Sequence, residues 1–196
     1  MPDGDGGALV RATLAEHEDL ARRLSDPALV RAVTAVGEVL VTSFAAGHKL
    51  VAFGNGGSAA DAAHLAAEFV GRCTRDRRAL PAISLADSSA GITSVANDYG
   101  FAHVFTRGVQ AFVTPGDVVL GMTTSGRSEN VLLGLAEARR LGAATVALCG
   151  AYDEELRPAV DHCLAVPSSN TPRVQETHLL WGHLWAELVE CSPAAR

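Results

Sequence analysis

The chain has 196 residues, 48% of them hydrophobic, and carries 16 Lys and Arg against 22 Asp and Glu for a formal charge of −6. That length predicts one domain with a sizeable core, and the acidic balance argues against electrostatic nucleic-acid binding. The longest run free of Asp, Glu, Lys and Arg is Leu141 to Tyr152, well short of the about 20 apolar residues a spanning helix needs, so no membrane partner is expected.

Met1 to Gly7 are expected to fray. The N-terminal stretch is acidic and polar with no basic region ahead of an apolar one, so no secretory signal is expected and a cytoplasmic address follows. Cys73, Cys149, Cys163 and Cys191 lack C-x-x-C spacing and read as small core residues in a reducing compartment. Ala8 to Leu24 follow a helical period. Asp26-Pro27 then reads as an N-cap with a first-turn proline, and Leu29, Val33, Val36, Leu40 and Phe44 recur at helical steps before Gly47 stops the helix. The two helices, within residues 1–48, are expected to dock as a pair.

Beyond them, short apolar runs at Leu50 to Gly54, Pro81 to Ala86, Asp117 to Met122, Thr145 to Gly150 and His162 to Val166 alternate with helical stretches. This is the pattern of a buried parallel sheet. Ser58 to Gly71, Ser128 to Leu141 and Thr171 to Glu190 are the clearest helices. The predicted fold is a three-layer α/β sandwich in a single domain spanning 1–196, with ligands beyond the carboxyl ends of the strands.

Two strand-to-helix turns suit an anionic ligand. Gly54-Asn55-Gly56-Gly57-Ser58 allows close backbone approach at a helix start, where unpaired N–H groups can meet a phosphate or a row of hydroxyls. Thr123-Thr124-Ser125-Gly126-Arg127-Ser128 places four hydroxyls at a second helix start. Either turn alone is more often a plain capped loop, whereas two on one sheet edge favour a cradle. Gly54, Gly56 and Ala59 also fit a degenerate dinucleotide pattern, but the expected acidic residue is poorly placed, and no Gly-Lys-Ser/Thr supports a nucleotide P-loop.

In the helix after the first turn, Asp61, His64 and Glu68 share one face among alanines. His64 and Glu68 can ligate one metal ion, act as an acid/base pair, or simply be a solvated pair. The last predicted helix sets Gln175, His178 and His183 among Leu, Trp and Val on nearly every side. Such a helix is buried, and with a single core available part of its surface is predicted to meet another subunit, giving a homo-oligomer. A lone histidine there is more often a satisfied core residue than a ligand. Gln175 and His183 lie about 80° apart around a helix, so both can face one ion, while His178 points elsewhere.

GNGGSAADAAHLAAEFVGR, VANDYGF, TTSGRS and RVQETH with the later His183 resemble, as a set, the phosphoheptose isomerases of the sugar isomerase (SIS) domain family, over roughly Leu50 to Glu190. The resemblance implies a five-stranded parallel sheet, a homotetramer with active sites at subunit interfaces, and one zinc ion per subunit. It assigns Asn55, Gly56 and Gly57 to the sugar, Ser58 near the phosphate, and Thr123, Thr124, Ser125 and Ser128 to the phosphate. Asn97, Asp98, Arg72 and Gln175 match further substrate contacts. His64, Glu68, Gln175 and His183 match the zinc ligands, and Glu68, itself also a substrate contact, pairs with His183 as acid and base.

The implied reaction interconverts sedoheptulose 7-phosphate and D-glycero-D-manno-heptose 7-phosphate through an enediol. Arg127 stands where the family usually has Asn, and Pro172 where an acidic residue is common; with Thr171 as cap, Pro172 also fits helix initiation. These departures leave an isomerase of a related ketose phosphate open. A non-catalytic adaptor of the same family that binds a protein partner is the competing class, and retention of Glu68 and His183 favours the enzyme. A sugar-phosphate-sensing regulator is the third reading, disfavoured because no DNA-binding segment is appended.

Overall fold

The computed structural model describes residues 5–195, so Met1 to Gly4 of the expected frayed end lie outside it. Gly6 and Gly7 are helical: the Asp5 carboxylate accepts the Gly7 amide and caps α1 (Gly6–Leu24). Asp26 caps α2 (Pro27–Ala45), as its Asp-Pro pair predicts. There follow β1 (Leu50–Gly54), α3 (Gly57–Val70), β2 (Ala82–Ser84), α4 (Ser89–Tyr99), α5 (Val104–Phe112), β3 (Val118–Thr123), α6 (Glu129–Arg140), β4 (Ala144–Cys149), β5 (His162–Ala165) and α7 (Thr171–Glu190). The helices α4 and α5 are additions to the elements predicted from sequence. No α4 residue is fully buried; its apolar stripe is the short, partly buried set Ile92, Val95 and Ala96.

All five strands are parallel, in the order β2-β1-β3-β4-β5. Alternate strand residues feed two cores. Leu50, Ala52, Leu120, Met122, Val146 and Leu148 pack with α2, α3 and α7, while Val51, Phe53, Val119 and Ala147 pack with α5 and α6 on the other face. The predicted three-layer sandwich is what forms.

Two expectations are corrected. The N-terminal helices do not dock as an isolated pair: α2 packs on α7, with Trp185 Nε1 donating to the Val33 carbonyl at 2.9 Å. The C-terminal half of α1 also rests on α7, where Glu16 meets Asn170 and Arg173, and His17 meets Glu176. The core lies where α7 crosses, so α2 buries its apolar stripe there, while α1 buries only Leu20. Second, Cys191 is exposed beyond α7 and is no core residue, although all four cysteines are free. By length and composition α2 could cross a membrane, but Val33, Val36, Leu40 and Phe44 are buried in the domain core.

The strand order positions the site. β1 and β3 are neighbours, yet α3 and α6, which follow them, cover opposite faces, so a crevice opens at the carboxyl ends of these two strands.

Candidate active site

Both hydroxyl- and glycine-rich turns open into that crevice, and neither following helix has a side-chain cap. α1, α2 and α4 are instead capped by Asp5, Asp26 and Ser88; here the amides of Ser58, Ala59 and Val131 bond the carbonyls of Asn55, Gly56 and Ser128, and among the described residues those of Gly57, Glu129 and Asn130 have no protein acceptor and can meet a ligand. Ser128 precedes α6 but turns its hydroxyl to Thr123 Oγ1 at 2.9 Å, while Ser125 Oγ lies 3.3 Å from the same oxygen and accepts the Arg127 amide. Thr124 is tied by its carbonyl to the Gly150 amide. Gly126 has φ +71°, and a Cβ there would lie 2.0 Å from the Tyr152 carbonyl oxygen, so only glycine fits. The Arg127 guanidinium lies 5.4 Å over the Tyr152 ring.

Ser58 is 3% exposed, folded against the end of β1. Asn55 exchanges two 2.9 Å amide hydrogen bonds with Asn130 at the start of α6, linking the two turns. Asn130 is buried and was not singled out from the sequence. The signal was present, because Asn130 shares the buried stripe of α6 with Gly134 and Ala138 at four-residue steps.

Beside this crevice α3 and α7 run parallel in contact. Gln175 lies against the first turn of α3: a Cβ on Gly57 would be 2.3 Å from its Nε2. Further along, His64 Nε2 approaches His183 Nε2 at 3.1 Å and Glu68 Oε1 at 3.2 Å, and one donor atom from each of the three lies within 4.8 Å of the others. A tetrahedral zinc with bonds of about 2.0–2.1 Å sets its ligand atoms about 3.3 Å apart. The trio therefore fits a metal ion, with an open side. Among the described residues no hydrogen bond joins Gln175 to the trio.

Surroundings tune the cluster. The Cys73 thiol, just past α3, is pushed up to about 11 by burial and by the Glu68 carboxylate, to which it hydrogen-bonds; it stays a protonated donor. Burial raises the Asp61 carboxyl, opposed by His64, and its Oδ2 has no hydrogen-bond partner. His178 points elsewhere, as predicted: it is buried, its Nε2 is 3.3 Å from the Cys149 carbonyl, and burial lowers its pKa to about 4.

The chain does not bring every predicted residue to the crevice. Asn97 and Asp98 are exposed on α4 and bonded to each other. Arg72 is exposed after α3. Among the described residues no hydrogen bond joins any of these three to the trio or the two turns. The α7 cap is Asn170 rather than Thr171, which lies inside the helix beside Pro172; the Asn170 amide donates to Glu16 instead of capping.

The SIS domain family model matches residues 15–150. A phosphoheptose isomerase of Aquifex aeolicus is 48% identical over 155 residues, 79% of this chain and 81% of that one. One from Geobacter sp. strain M21 is 45% identical over 184 residues, 92% of this chain and 94% of that one. The solved phosphoheptose isomerase of Francisella tularensis superposes with a TM-score of 0.90 at 30% identity over 95% of this chain and 98% of its own; that of Neisseria gonorrhoeae gives 0.88 at 33% over 94% and 98%. The chain belongs to the SIS domain family, in its phosphoheptose isomerase group. It is an isomerase.

Proposed function

We propose that the protein interconverts sedoheptulose 7-phosphate and D-glycero-D-manno-heptose 7-phosphate, with Glu68 as base and His183 as the proton shuttle on oxygen. The observation that carries this reading is the meeting of Glu68, His64 and His183 across α3 and α7, with α3 starting at the crevice lined with hydroxyls and free helix N–H groups. Thr123, Thr124, Ser125, Ser128 and the start of α6 take the phosphate. Asn55, Gly56 and Gly57 take sugar hydroxyls, with Asn130 fixing the Asn55 amide.

Glu68 removes a proton from C1, the C1–C2 double bond forms, and the C2 carbonyl oxygen gains a proton from His183. Glu68 then returns a proton to C2 while the O1 proton passes to His183 and the C1 carbonyl forms. Positioned acid/base groups of this kind typically contribute about 10²- to 10⁴-fold. His64, Glu68 and His183, with Gln175 as fourth donor, would hold zinc, which when bound polarises the substrate oxygens.

A homotetramer belongs to the same reading. Leu180, Leu184 and Leu188 form an exposed stripe on α7, 41–47% exposed, and Leu9, Val10 and Leu14 are exposed on α1. Asn97, Asp98 and Arg72, remote in one chain, are then supplied across an interface. Four free cysteines support a cytoplasmic setting. The test is conversion of sedoheptulose 7-phosphate by purified, zinc-supplemented protein, followed by product chromatography. Formation of the aldose supports the reading, and a folded protein that leaves the ketose unchanged refutes it.

A further inference from the structure

Behind the trio, the ends of α3 and α7 are tied by a buried charge pair that the proposed chemistry does not use. The Arg77 side chain is 3% exposed. Its Nη2 donates to the carbonyl of Glu68 at 2.6 Å and its Nη1 to that of Phe69 at 2.8 Å, satisfying two of the last carbonyls of α3. Its Nε lies 3.5 Å from Oε1 of Glu190, whose side chain is fully buried at the end of α7, as an ion pair without a hydrogen bond, Nε having no hydrogen-bond partner. The Glu190 carboxylate in turn accepts the amides of Cys73, Thr74 and Arg75 and the Thr74 hydroxyl, all at 2.8–3.0 Å. The segment leaving α3 is therefore wrapped around one carboxylate of α7.

Apolar packing between two parallel helices is non-directional and tolerates small sliding. Buried charge-assisted hydrogen bonds do not, because displacement strands a desolvated charge. The location matters as much as the strength. Arg77 holds the main chain of Glu68 itself, and His183 precedes Glu190 by two turns on nearly the same face of α7. A shift of α3 against α7 at this clamp thus changes the distance from the Glu68 carboxylate to His183.

We infer that Arg77 and Glu190 are positioning residues that set the Glu68 carboxylate against His183. The inference rests on the acid/base reading of that pair. Neither residue lies in the turns that bind the phosphate, so their loss acts on turnover and not on substrate capture.

The test compares Arg77→Lys, Glu190→Gln and wild type in two assays: steady-state kinetics with sedoheptulose 7-phosphate, and Zn²⁺ affinity by chelator competition. The clamp predicts kcat at least tenfold lower with KM within twofold, and Zn²⁺ affinity at least tenfold weaker, in variants whose circular dichroism matches wild type. Glu190→Gln keeps side-chain shape while removing the charge facing Arg77, and it carries the test should Arg77→Lys fail to fold. A purely structural role gives a lower melting temperature with unchanged kcat and Zn²⁺ affinity, which overturns the inference, as does a rise in KM alone. A wild type that binds Zn²⁺ but leaves the ketose unchanged refutes the isomerase reading, and the Zn²⁺ comparison then decides the clamp. A wild type with neither property overturns both.

Discussion

Glu68 is held from three directions: His64 meets Oε1 at 3.2 Å, the Cys73 thiol bonds the carboxylate, and Arg77 fixes the main-chain carbonyl. In its proposed role as base, Glu68 so fixed loses little orientational freedom on reaching the transition state. Glu68→Gln keeps the shape but cannot take a proton, so kcat is expected to fall by at least about 100-fold while the melting temperature stays within a few degrees, read by coupled assay and thermal denaturation. Arg127 adds a positive charge beside the phosphate turn, stacked on Tyr152. Arg127→Asn is expected to raise KM severalfold with kcat unchanged, more at low salt than at high, because an exposed charge is screened. His64 and Glu68 were legible in the sequence because helical spacing places them on one face, and His183 because its angle to Gln175 and the family resemblance set it apart from the core residue His178. Arg77 and Glu190 were not, since their partners are distant in sequence and no local period announces them; Asn130 lies on the buried four-residue stripe of α6, but its partner Asn55 is distant in sequence.

The helix α7 ties the site to the sheet through His178, whose ring meets the Cys149 carbonyl of β4. Burial lowers its pKa from the ordinary 6.5 to about 4. Above pH 6.5 the ring is neutral in both folded and unfolded chains and has no effect. Between pH 6.5 and about 4 only the unfolded chain takes up the proton, so this group removes up to about 3 kcal/mol of stability over that window. Urea denaturation at pH 7, 5.5 and 4.5 checks this, and His178→Leu is expected to flatten the dependence. The strands and the helices α3, α6 and α7 were readable because continuous apolar runs and helical stripes are strong periodic signals. By contrast α4 offers only the short, partly buried stripe Ile92, Val95 and Ala96, and α5 is nine residues long with Gly108 inside it, so each period is brief. For α1 and α2 the apolar stripe showed that each helix docks but not that both meet α7.

Across the molecule, the sheet order creates the crevice, and the proposed assembly rests on the exposed apolar residues of α7 and α1 and on Asn97, Asp98 and Arg72 lying away from it. Leu184→Glu puts a charge in the middle of the α7 stripe. It is expected to shift the protein from the proposed tetramer to smaller species in sedimentation velocity and to lower activity in parallel; a tetramer of full activity would place the interface elsewhere. Specific sugar identity was the least legible property, because hydroxyl and glycine turns recognise any phosphorylated polyol of suitable length.

The most direct measurement follows sedoheptulose 7-phosphate by NMR in deuterated water with zinc-supplemented protein. Proton transfer through Glu68 predicts aldose formation with deuterium entering at C2, deuterium appearing at C1 of the recovered ketose, and loss of both in Glu68→Gln. Product and exchange that persist at the wild-type rate in Glu68→Gln would contradict the account, as would a folded wild type showing neither.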